Sequence, residues 1–108
     1  AQRLQKLTEL HEELRDGLYE QAESGLRAAL EFSPEDPYTA FTLGNHLFWR
    51  NGSEAESIEL LEQAVRTRPS FLKAWLVLAM AYKKSRQFRK AEDAFQACLE
   101  LDGNHTNQ

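Results

Sequence analysis

The chain has 108 residues, of which 42% are hydrophobic and 28% are charged, and its formal net charge is −4. This length suits one soluble domain with a packed core, and the acidic balance argues against general affinity for nucleic acid or anionic lipid. No apolar run approaches the roughly 20 residues of a membrane span, and no signal-peptide pattern opens the chain, so we expect no membrane insertion. The single cysteine, Cys98, excludes an internal disulfide and is compatible with a cytoplasmic location.

Six helices are predicted in chain order, because apolar residues recur at helical spacing and turn residues separate the segments. No strand pattern competes with them. Pro37 suits a first helical turn, and Ser53 with Glu56 three residues on is a typical N-cap pattern. We place the helices near residues 4–15, 18–32, 37–50, 53–67, 70–84 and 87–101.

The strongest pattern is an internal repeat of about 34 residues. In and directly after the second helix of each predicted pair, residues of similar type recur: Leu26, Leu61 and Phe95; Ala29, Ala64 and Cys98; Pro34, Pro69 and Gly103. The first helices carry a second apolar series: Leu7, Leu10 and Leu14; Ala40, Leu43, Gly44 and Leu47; Trp75, Leu78, Ala79 and Tyr82. Because each pair of helices carries both series, the sequence predicts three helical hairpins.

These positions resemble the tetratricopeptide repeat family. The third repeat follows the family pattern closely through Trp75, Leu78, Ala79, Tyr82, Phe88, Ala91, Phe95 and Cys98. The first repeat departs most, since His11 stands where the family has a small residue. The resemblance implies an all-α, right-handed superhelix (solenoid) of three hairpins with a concave groove. It also implies one domain over 1–103, with repeats at about 4–34, 37–69 and 70–103 and a polar tail at 104–108.

In such a solenoid the groove is lined by the first helix of each repeat, and a peptide or helix of a partner protein binds there. The resemblance implies a protein–protein interaction module of the scaffold, adaptor or co-chaperone type. Apolar contacts from aromatic and aliphatic side chains are expected to anchor the partner, with Lys73 near an acidic flank and Asn45 bonding the backbone. The predicted groove residues are Tyr38, Phe41, Thr42, Asn45, Phe48, Trp49, Lys73, Leu76, Val77 and Met80.

Some family members hold the C-terminal carboxylates of chaperone tails in a clamp of lysine, asparagine and arginine side chains. At the matching positions only Lys73 fits here, and Glu12 stands where the family has asparagine. A carboxylate there repels the carboxylate of the ligand, so the sequence argues against this type of binding.

A second hypothesis is a structural assembly module that self-associates, or forms part of a longer repeat array, through its uncapped ends. Catalysis has little support. His11, His46 and His105 stand outside any nucleophile or metalloprotease motif, and the five glycines form no phosphate-binding loop. We therefore predict no enzyme activity, no metal site and no cofactor, and we expect Cys98 to be a small buried core residue.

Overall fold

The computed structural model describes residues 2–106, and over that part of the chain it contains five α-helices and no strand. α2 and α3 form one hairpin, α4 and α5 form a second, and the two hairpins stack mainly through α3 and α4. The predicted all-α class is confirmed. The helices are α1 (Gln2–Phe32), α2 (Pro37–Trp49), α3 (Glu54–Thr67), α4 (Leu72–Lys84) and α5 (Phe88–Thr106).

Local chemistry explains where α2 and α3 begin. Asp36 caps α2 by accepting a hydrogen bond from the backbone N of Tyr38 at 3.1 Å, and Pro37 occupies the first turn. Ser53 caps α3 by accepting one from the backbone N of Glu56 at 3.3 Å. Both predicted helix starts are therefore confirmed.

The turns inside the two hairpins share one construction. Asn51 and Arg86 adopt left-handed backbone conformations, with φ values of 57° and 65°. Each lies four residues after the last buried residue of the first helix, Leu47 or Tyr82. The next backbone N–H then closes the turn at 2.8 Å, from Gly52 to the Leu47 carbonyl and from Gln87 to the Tyr82 carbonyl.

The predicted first hairpin does not form, because α1 runs without a break from Gln2 to Phe32. The prediction of separate helices over 4–15 and 18–32 is therefore wrong. Four residues after Leu14, the position that would need left-handed backbone is Leu18, and for such a residue that conformation costs about 1–2 kcal/mol. Gly17 lies one residue too early to serve.

The short sequence separation between the two predicted helices also disfavours a turn. The residue numbers of Leu14 and Leu26 differ by 12, whereas the equivalent pairs differ by 14 (Leu47 and Leu61) and by 13 (Tyr82 and Phe95). The first connection is thus one or two residues shorter than the two that turn. A shorter connection leaves less chain for reversing direction, so the helix continues.

The last helix also extends beyond its prediction. We predicted that it ends near residue 101 and that 104–108 form a polar tail, but α5 continues to Thr106. Gly103 lies inside the helix and does not adopt the left-handed conformation of a C-terminal glycine, so it does not act as a stop. Asn107 and Gln108, the rest of the predicted tail, lie outside the described residues.

The core runs through both hairpins and the contact between them. Leu43, Leu61 and Leu78 are its largest fully buried apolar side chains. Where α2 crosses α3, a Cβ atom on Gly44 would lie 3.0 Å from Leu61 Cγ, and Ser57 Oγ donates to the Gly44 carbonyl at 2.9 Å. α4 packs against α2, α3 and α5, which explains why residues 74–82 are apolar on more than one face.

Only the C-terminal half of α1 joins the stack. Arg27 donates two hydrogen bonds to the Glu56 carboxylate of α3, at 2.6 and 3.0 Å, and one to Glu23 at 3.1 Å. These bonds hold the pKa of Glu56 below its ordinary value of 4.5. The side chains of Arg27 and Glu56 remain 42% and 38% exposed, so solvent screening limits the gain in stability to about 1 kcal/mol or less.

We expect Glu56→Gln to lower the free energy of unfolding at pH 7 by up to about 1 kcal/mol. Because the folded pKa of Glu56 is depressed, its contribution is present above the ordinary value and is lost as the pH falls through the folded pKa. Urea unfolding of the wild type and the variant should therefore differ at pH 7 and converge in acid, once the pH is below the folded pKa of Glu56. Glu59→Gln, an exposed carboxylate on the same helix, is the control. A difference that persists unchanged in acid would contradict this ion-pair account.

Candidate functional site

The predicted groove residues divide into three groups in the structure. Tyr38, Thr42, Trp49, Lys73 and Leu76 are exposed. Phe41, Asn45, Phe48 and Met80 are partly buried, and Val77 is buried in the core. Val77 is therefore unavailable as a contact, because α4 is packed against other helices on more sides than the repeat pattern showed.

Aromatic packing joins α2 to the start of α4. The Phe41 and Tyr38 rings lie 4.9 and 5.2 Å from the ring of Phe71, and the Arg68 guanidinium lies 5.1 Å from the Tyr38 centroid. Phe41 is thus used largely for contact between repeats, whereas Tyr38 keeps an exposed edge beside a cation. The sequence reasoning missed Phe71. Its position directly after Pro69 and Ser70, at the start of a helix, could have indicated a packing role.

Tyr38, Lys73, Leu76 and Met80 form what we call the α2/α4 face. Tyr38 and Leu76 are its exposed apolar side chains, and Met80 packs partly against the core. Lys73 makes no hydrogen bond or ion pair with any of the described residues. The face therefore offers apolar surface with an adjacent uncompensated positive charge.

A second open surface, the α1/α2 groove, lies between the C-terminal half of α1 and α2. Its volume is about 610 Å³. Thr42, Asn45 and Trp49 were predicted to share a groove with α4, but here they line this one. Its lining is Arg15, Tyr19, Ala22, Leu26, Thr42, Asn45, His46, Trp49 and Arg50. The sequence reasoning missed this groove because residues 4–15 were expected to fold back beside it.

Polar contacts organise this groove. The Arg50 guanidinium lies 4.5 Å from the Tyr19 ring centroid and 3.3 Å from Asp16 Oδ1. His46 packs edge-on against Tyr19 at 5.9 Å, and its Nε2 is buried without a hydrogen bond, 3.8 Å from Glu23 Oε1. These contacts hold α1 against α2 at Asp16 and at Tyr19, so they stabilise the helical form of the segment around Gly17.

The pKa shifts of two buried side chains disfavour an activated nucleophile at those positions. Burial raises the pKa of the Cys98 thiol, which disfavours the reactive thiolate. Burial and a hydrogen bond to Glu62 raise the pKa of the Tyr82 phenol. Over residues 2–106 no group of three acidic, histidine or cysteine side chains is placed to hold a metal ion, and no helix is long and apolar enough to cross a membrane.

Comparison with known proteins identifies the fold that this arrangement of hairpins belongs to. The family model described as "Tetratricopeptide repeat" matches residues 72–105. The fold is that of a tetratricopeptide repeat (TPR) protein. The match covers the third predicted repeat, whose residues follow the TPR pattern most closely, so the predicted resemblance is confirmed. No curated protein matches the chain significantly.

Solved TPR structures superpose on most of the chain. A crystal structure of MamA has a TM-score of 0.78 at 18% identity and covers 88% of this chain and 55% of its own. MamA from Desulfovibrio magneticus RS-1 has a TM-score of 0.74 at 22% identity, covering 84% and 51%. The first TPR of Spaghetti (RPAP3), bound to an HSP90 peptide, has a TM-score of 0.75 at 20% identity, covering 84% and 71%. The chain spans about half the length of the MamA structures that it matches.

Proposed function

We propose that this TPR domain binds a short segment of a partner protein across the α2/α4 face. The observation that carries the proposal is that Tyr38 and Leu76 are exposed on the first helices of two stacked hairpins, with Lys73 about one turn before Leu76 on α4. Exposed apolar side chains grouped on one face are a typical feature of peptide-binding surfaces. The TPR of Spaghetti, which is bound to a peptide, supports peptide binding as a use of this fold.

The positive charges on and beside the α2/α4 face indicate which partner segments would bind there. Lys73 lies on the face and Arg68 borders it beside Tyr38, whereas Lys84 is already engaged, since it donates to Asn51 Oδ1 at 2.5 Å. A segment with one or two apolar anchors and an acidic flank would place its carboxylates near Lys73 and Arg68. We do not propose the dicarboxylate clamp, because Lys73 is the only residue that fits it and buried Val77 occupies another of its positions.

A random peptide display library selected against the wild-type domain tests the proposal directly. We expect the selected peptides to combine apolar anchors with acidic residues. Leu76→Glu should weaken their binding by about tenfold or more, because it places a charge where the apolar anchor lies. Lys73→Glu should reverse the preference for acidic flanks.

Leu99→Glu is the matched control, since Leu99 is an even more exposed leucine on α5, outside the α2/α4 face. Circular dichroism would establish that all variants remain helical. If the selected peptides bind the Leu76→Glu and Leu99→Glu variants equally well, the α2/α4 face is not the binding surface.

A further inference from the structure

The N-terminal half of α1 carries an exposed row of leucines, which we call the leucine stripe: Leu4, Leu7, Leu10, Leu14 and Leu18. Each is between 53% and 72% exposed. The spacings of three and four residues place them along one side of the helix. An isolated helix with a continuous apolar side is stable in water only when another surface covers that side.

Comparison with the second repeat shows what the stripe would normally contact. Leu7, Leu10 and Leu14 correspond to Ala40, Leu43 and Leu47 of α2. Those three are 0%, 1% and 4% exposed, because α2 lies against α3. The stripe is therefore the packing side of a first helix that lacks its second helix.

The complementary surface is largely exposed as well. Ala22, Leu26 and Ala29, in the C-terminal half of α1, correspond to Ser57, Leu61 and Ala64 of α3. These α3 residues are at most 1% exposed, whereas Ala22 and Ala29 are exposed and Leu26 is half-buried. One straight helix thus carries both halves of a hairpin interface; the leucine stripe is exposed, and of the second half only Leu26 is partly covered, by the core.

The two halves cannot meet within one copy of this structure. Leu7 and Ala29 are 22 residues apart on a continuous helix, a distance of about 33 Å. The contacts of Asp16 and Tyr19 with Arg50 hold the middle of the helix in place. A connection too short to turn is the usual condition for exchange of an element between two copies.

We propose that α1 pairs antiparallel with α1 of a second copy, so that the leucine stripe of each covers the Ala22, Leu26 and Ala29 surface of the other. In the second repeat, Gly44 faces Ser57, Leu60 and Leu61. Their counterparts in the first repeat are His11, facing Ala22, Gly25 and Leu26. Residues 11 and 25 lie symmetrically about Leu18, so an antiparallel pair centred there satisfies both contacts at once through a two-fold axis.

The sizes of the facing residues support this pairing. In α2 the glycine is on the first helix, and a Cβ atom on Gly44 would lie 3.2 Å from Leu60 Cβ. In α1 the sizes are exchanged, with His11 on the first half and Gly25 at the position of Leu60. A Cβ atom on Gly25 would meet nothing within 4 Å. A mid-helix glycine normally costs stability, and here it leaves room for the imidazole of the second copy.

In the α1/α2 groove a second pair of residue types has exchanged positions relative to the next repeat. Phe48 of α2 packs with Lys84 of α4, whose Nζ lies 5.4 Å from the ring centroid. The counterparts one repeat earlier are Arg15 and Trp49, so the cation and the aromatic ring have changed sides. Arg15 from the second copy would then cover exposed Trp49, which gives the proposed helix pair a contact with α2.

Light scattering over a concentration series tests the pairing. We expect the wild type to be dimeric and to dissociate on dilution. Gly25→Leu restores the residue that α3 has at this position and favours the helix, but it fills the space for His11, so we expect the dimer dissociation constant to rise about tenfold or more. Ser24→Leu adds the same side chain about 100° around the helix and should leave the dimer intact.

A cysteine cross-link identifies the axis. In a Cys98→Ala background, Leu18→Cys should give a covalent dimer on oxidation, because the two copies of residue 18 face each other. If the N-terminal half instead folds back on its own chain, the protein is monomeric at every concentration and no cross-link forms, which overturns the proposal. A dimer lost with Leu99→Glu but kept with Gly25→Leu also overturns it, since the contact is then through α5.

Discussion

Leu61→Ala is expected to lower the free energy of unfolding by about 2–5 kcal/mol. Leu61 is fully buried in α3, and its Cγ lies against Gly44 of α2. Removing the side chain takes apolar contacts from the core and leaves a cavity, since the helix backbones around it cannot close fully. For a domain of this size, that loss is a large part of the total stability.

Leu99→Ala is the control for this prediction. Leu99 lies on α5, which is the second helix of its hairpin as α3 is of the other. Its side chain is 65% exposed, so its replacement should change the free energy of unfolding by less than about 1 kcal/mol. Urea unfolding followed by circular dichroism would give both values. Equal losses for the two variants would mean that the core does not lie at the crossing of α2 and α3.

Ala64→Leu is expected to destabilise the domain by about 1–3 kcal/mol or more, for the opposite reason. Ala64 is 0% exposed and belongs to the α3 surface that packs in the core. A leucine side chain has no space there, so α3 would have to move away from the adjacent helices. The small residue at this position therefore determines how closely the helices approach.

Ala55→Leu introduces the same side chain on the exposed side of α3 and should be nearly neutral. Thermal unfolding of the two variants would separate steric conflict from any general effect of leucine on the helix. A melting temperature for Ala64→Leu at or above that of the wild type would show that the packing around α3 is looser than the structure indicates.

Much of the second and third repeats could be predicted from the sequence, because their signals are local. Pro37 in the first turn of α2 and Ser53, which caps α3 through a backbone group three residues away, are local features, so a short stretch of sequence is enough to predict both helix starts. The repeated positions of Leu61 and Ala64 indicated the core, since residues that recur at one period in stacked repeats share one environment. Cys98, aligned with those alanines, is buried as expected.

The candidate site was harder to predict. Val77 and Leu76 are neighbours on α4, yet the structure buries one and exposes the other. The repeat pattern assigned both to the groove. It describes each helix by its own periodicity and carries no information on the packing angle between neighbouring helices. The role of Phe71 as the packing partner of Phe41 depends in the same way on the angle between α2 and α4.

The sequence by itself determined that this chain is a helical repeat, where most helices begin, and which small and large residues form the core. These properties follow from backbone hydrogen bonding and from apolar spacing within single helices. Only the tertiary structure decided that the first two predicted helices are one. Leu18 at the αL position and the short connection can be seen in the sequence, but the contacts of Arg50 with Asp16 and Tyr19, which hold α1 against α2, cannot. Such a balance of small energies between distant residues cannot be read from periodicity.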